Sequence, residues 1–134
     1  MATFNIAKLA LADTTVIHLT DPAGAYLYAD EAEQEPLEIE VYGRSSKHMR
    51  NYLISAEKKK AKRGKRAPTP EESQEDNAEF FAAITKSVKN FTLEDGKPLT
   101  TAEDFKKLYL RADLYFIVDQ VSETLGDAEL FMQK

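Results

Sequence analysis

The chain has no cysteine and no tryptophan, only two histidines, and five glycines that never stand close together. Without thiolates there can be no disulfide framework, no thiolate zinc site, no iron–sulfur cluster and no cysteine nucleophile. Isolated glycines cannot build a loop that cradles phosphate. No stretch approaches the roughly 20 apolar residues of a membrane span, and the first residues lack the basic-then-apolar pattern of a secretory signal. These absences lead to the expectation of a soluble, cytoplasmic protein without a membrane partner.

What remains is an ordinary globular composition. Its 134 residues, 43% hydrophobic and 31% charged, suit one domain over 1–134. The formal charge of -5 is a sum of unequal parts. Residues 1–43 carry one Lys against eight acids, residues 44–66 ten Lys and Arg against one Glu, and residues 67–134 seven against fourteen. A basic tract therefore lies between two acidic parts.

From Thr14 to Thr20 the sequence TTVIHLT is β-branched and alternating, which predicts a strand with Thr15, Ile17 and Leu19 on one face. Asp21-Pro22-Ala23-Gly24 has the residue order of a type I turn, and a short Tyr26-Leu27-Tyr28 segment follows it. After an acidic loop, Leu37, Ile39 and Val41 alternate with polar residues as a second strand. The expected fold is α+β, a small N-terminal antiparallel hairpin or three-stranded meander packed by three to four α-helices. Helices have to cover the apolar face of so small a sheet.

The first helix begins at Ser45 or Ser46 and carries the stripe Met49, Tyr52, Leu53, Ala56. Beyond Ala56 the tract is polar on all sides and ends in two prolines, which predicts a flexible basic linker at about 58–70. Phe81, Ile84, Val88 and Phe91 predict a central helix starting at Glu71 or Glu72. Thr100 or Thr101, with Glu103 closing a capping box on Thr100, starts a third helix carrying Phe105, Leu108 and Tyr109. A break near Asp113 precedes a fourth, with Val121 and Leu125 in its buried stripe and Gly126 at a left-handed C-cap.

Catalysis needs a nucleophile beside a base, paired carboxylates at a useful separation, or a metal. No motif supplies one, so no catalytic, cofactor-binding or metal residues are assigned and the chain is read as a non-enzyme. His18 falls on a strand and His48 in a helix's first turn, both as structural or surface histidines. Asp119 and Glu123, four apart without a histidine near them, read as a solvated acidic face. The acidic loop Asp30 to Glu35 lacks the ligand pattern of a calcium loop.

The basic run Arg44 to Arg66 could neutralise phosphates, which makes a small nucleic-acid-binding regulator the alternative reading. Against it, aromatics stop at Tyr52 and the rest of the chain is acidic. Acidic protein surface suits the run better, including the segment Glu71 to Glu79 of the same chain or of a neighbouring copy.

The order of pieces is similar to a known family. FNIAKLALADTTVIHLTDPAG (4–24), IEVYGRSSK (39–47), the basic tract, GKPLTTAEDFKKLY (96–109) and FIVDQVSETLGDAELF (116–131) resemble the tail assembly chaperones of long-tailed, siphovirus-type, lambda-like bacteriophages. The resemblance covers nearly the whole chain. It implies a protein that binds the tape measure protein in the infected or lysogenic host cytoplasm, promotes tail tube assembly, and is absent from the mature virion. It also implies contact with tail tube protein through a frameshifted longer form. Self-association along the client would supply avidity. Candidate partner-binding residues are Lys58, Lys59, Lys62 and Arg63 in the arm, and Leu130 and Phe131 near the end.

Overall fold

A computed structural model describes residues 2–64 and 67–133. The fold is α+β, with a three-stranded antiparallel sheet and, among the described residues, four α-helices. The strands are β1 (Thr14–His18), β2 (Glu38–Tyr42) and β3 (Thr85–Lys89), in spatial order β1-β2-β3. The helices are α1 (Lys47–Arg63), α2 (Pro70–Ile84), α3 (Ala102–Leu110) and α4 (Tyr115–Leu125).

The alternation in the first two strands determines their register. Ile17 pairs with Ile39 and Thr15 with Val41, so one face is dry while Val16, Glu38 and Glu40 face away from it. Asp21 makes the predicted turn. Its carbonyl accepts from Gly24 N at 2.9 Å, its carboxylate accepts from Ala23 N and Ala25 N, and Gly24 has φ +92°. The Tyr26 to Tyr28 segment is held by single bridges, Thr20 to Tyr26 and Tyr28 to Pro36, and is not the third strand of the sheet.

That third strand comes from residues expected to be helical. The chain leaves α2 at Ile84 and enters β3 without a loop. Phe81, Ile84, Val88 and Phe91 have helical spacing, yet Thr85 and Val88 both turn to the core side of a strand. A bulge explains this: Glu40 pairs with Ser87 but Val41 pairs with Thr85, leaving Lys86 as an extra residue, so positions three apart share a face. Pairing the otherwise open edge of β2 outweighs one more turn of helix.

The core lies between the sheet's dry face and the helices. Leu19, Ile39, Val41, Ile84, Leu108 and Val121 are its most deeply buried members. Thr69 caps α2 in a capping box with Glu72, and Pro70 occupies the first turn, where no amide donor is needed. Helix α3 is capped by Thr101, and its box partner is Asp104 rather than Glu103. The Asp104 carboxylate accepts from the amides of Thr100 and Thr101, which holds its pKa below the ordinary range. A 3-10 turn at Ala112–Leu114 makes the break before α4. Gly126 ends α4 in a right-handed conformation, φ -84°, so no left-handed cap forms there.

Candidate functional site

The basic arm is built from its cap outward. Ser46 Oγ accepts from Met49 N at 3.1 Å and donates to Gly43 O at 2.7 Å. His48 stacks on Tyr42, centroids 4.0 Å apart, and its Nε2 donates to Ala83 O at 2.6 Å. These contacts fasten the first turn of α1 to β2 and to the end of α2. Met49 is the sole buried residue described in α1, so most of this helix stands away from the core.

Residues 58–63 were expected within a flexible linker, and the structure places them in the last turns of α1. Lysine, alanine and arginine are strong helix formers, and cations in the last turn complement the helix dipole. Gly64 closes the helix with φ +80°, and Lys65 and Arg66 lie outside the described residues.

Five acids and no basic residue are found in α2, which runs antiparallel beside α1. Lys59 meets Glu79 at 3.3 Å, while Arg63 meets Asp76 at 3.2 Å and Glu72 at 3.6 Å. Tyr52 and Phe80 approach to 5.8 Å between centroids. Burial, with Glu79 and Asp76 adding to it, pushes the Tyr52 hydroxyl pKa up. A cleft of about 200 Å³ between the helices is lined by Tyr52, Leu53, Ala56 and Phe80 with charged residues around them. Two of the four arm candidates, Lys59 and Arg63, thus pair with the acidic segment of their own chain. Lys58 and Lys62 form no ion pair among the described residues, and neither does Lys60.

Leu53 and Ile54 are 48% and 52% exposed on α1, amid these cations. Sequence reasoning placed Leu53 in the buried stripe and passed over Ile54. The available signal was that Ile54 stands off the Met49, Tyr52, Ala56 spacing.

The terminal candidates separate. Leu130 is 50% exposed, whereas Phe131 is 3% exposed and belongs to the core. A Cβ added at Gly43 would lie 2.5 Å from Phe131 Cε1, so the ring seats directly on that glycine. Phe131 O accepts from Ala12 N at 2.7 Å, and Leu130 O accepts from Thr15 Oγ1 at 2.8 Å. Phe131 is therefore the lock of the tail in this structure and not part of the surface. Exposed Phe4, Ile6 and Leu9 precede this junction in a segment that buries none of its residues.

The remaining polar candidates have structural partners or stand in solvent. His18 Nε2 donates to Leu27 O at 3.0 Å, and its ring stacks on Tyr26 at 4.5 Å. Asp30 accepts from the amides of Gln34 and Glu35, shaping the acidic loop. Asp119 and Glu123 are both exposed. Among the described residues no group of three or more His, Asp or Glu could hold a metal ion, and no helix is long and apolar enough to cross a membrane. Comparison with protein families, with characterised proteins and with solved structures gives no match to this chain.

Proposed function

We propose that the chain is a non-enzymatic tail assembly chaperone that binds a tape measure protein and promotes tail tube assembly in a bacterial host cytoplasm. The resemblance along the chain suggests the class. The observation that carries the reading is the α1–α2 arm. It buries little of α1 in the core and displays Leu53 and Ile54 beside cations that form no ion pair among the described residues. A chaperone of a long helical client needs such weak and repeated contacts, which avidity strengthens when several copies share one client. Tail tube protein would join through a longer, frameshifted form.

Co-expression with the product of a very long helical reading frame next to the gene tests this. Soluble, co-purifying client is the expected result, and a client equally insoluble with and without the chain would overturn it. The alternative, a small nucleic-acid-binding regulator using the arm 44–66, draws on exposed Lys58, Lys60 and Lys62. It requires retention on DNA or RNA that falls steeply with salt.

A further inference from the structure

One face of α1 already binds an acidic helix, and a second face repeats the same chemistry with none of the described residues packed upon it. Toward α2, the aromatic Tyr52 is followed by Lys59 and Arg63, which hold Glu79 and Asp76 at 3.3 and 3.2 Å. Away from that face, Ile54 is followed by Lys58 and Lys62 at i+4 and i+8, with Arg50 one turn before it. All four of these side chains are exposed, and the three cations make no ion pair among the described residues.

We infer that this outer face of α1 docks an acidic amphipathic helix of a partner protein. The partner helix would set one apolar side chain against Ile54, and carboxylates spaced four apart against Lys58 and Lys62. The mode is helix recognition through an apolar anchor and flanking charge. Charge complementarity selects the occupant, since α1 holds seven basic residues against one Glu and the internal helix it binds holds five acids and no base. A polyanion without apolar surface would leave the Ile54 anchor unused. The inference deepens the chaperone reading and rests on it for the identity of the client.

The probe is a fluorescein-labelled synthetic peptide of about 20 residues, a length that supports a helix. It carries Leu along one stripe and Glu at i, i+4 beside it, and the full chain is titrated against it by anisotropy. Binding is expected at low salt, weakening as NaCl rises, with affinity falling about tenfold in K58E/K62E. I54S should also weaken it, while circular dichroism of both variants matches the parent because the three positions are exposed. Equal binding of a scrambled peptide, tighter binding of a 20-nucleotide single strand or of anionic lipid vesicles, or no peptide binding at all would overturn the inference. In co-expression, a client rescued equally by K58E/K62E removes this docking face and leaves the chaperone function standing. A client not rescued by the parent chain removes the function, while the peptide titration still reads the face.

Discussion

The Gln120 side-chain amide satisfies both backbone polar groups of Thr20: Oε1 accepts from Thr20 N at 2.8 Å and Nε2 donates to Thr20 O at 2.8 Å. An α4 side chain here plays the part of a neighbouring strand just beyond the end of β1. Q120A should destabilise the fold by about 1–3 kcal/mol, because a part-buried donor and acceptor lose their partners together. Q120E keeps one acceptor but sets a carboxylate against a carbonyl, so it should rescue poorly. Urea denaturation of the three proteins measures both effects, and an unchanged midpoint for Q120A would remove this amide from the fold's energetics.

Phe131 and Gly43 should behave as a coupled pair. G43A forces the ring away from its seat, costing about 1–3 kcal/mol, and F131A empties a core site, costing about 3–5 kcal/mol. Once the ring is gone the extra methyl has room, so G43A/F131A should fall well short of the summed losses. A double-mutant cycle on thermal or chemical unfolding tests this, and strict additivity would contradict the contact.

Thr85 and Tyr109 hydroxyls lie 2.6 Å apart in the core, and Thr85 Oγ1 donates to Phe81 O at 2.8 Å. With its proton so used, Thr85 must accept from Tyr109. T85V strands a buried phenol whereas Y109F leaves Thr85 its carbonyl partner, so T85V should cost more, about 2 against about 1 kcal/mol. Equal losses would reverse this donor assignment.

Tyr109 also predicts alkaline behaviour. Burial pushes its pKa up to about 12 from 10.0. A raised folded pKa means that the folded state keeps its proton longer than the unfolded chain. The contribution is complete below pH 10 and is lost as pH rises from there through about 12. Its size is about 3 kcal/mol by the usual conversion. Stability measured across that range should fall more steeply in the parent than in Y109F.

The caps separate two adjacent acids. D104A removes the acceptor for the Thr100 and Thr101 amides and should lower the melting temperature. Because binding those amides depresses the Asp104 pKa, its contribution is present above the ordinary carboxylate range and is lost as pH falls through the folded value. E103A should leave the melting temperature unchanged.

Local patterns reached far into this fold. Alternation in 14–20 and 37–41 specified two strands and their dry faces, because a period of two can bury only one side of a sheet. Helix starts were legible where a hydroxyl residue can cap, as at Ser46 and Thr101, while the Thr69 cap two residues before Glu71 went unread. At the arm, composition located the charge and Leu130 and Phe131 marked the tail. It could not say which cations would be spent on α2, since residues 20 apart, such as Lys59 and Glu79, meet only after the turn between helices is made.

By itself, then, the sequence determined the charge layout, the absence of thiol chemistry, two strands and the apolar faces of α3 and α4, all of them properties of neighbouring residues. Tertiary structure decided the rest. Residues 85–89 became a strand because β2 had an edge to pair. Phe131 became core because Gly43 leaves room for its ring, and Lys58 and Lys62 stayed unpaired among the described residues because α2 lies along the other side of α1. In each case the deciding partner is distant along the chain, and only folding brings its geometry to bear.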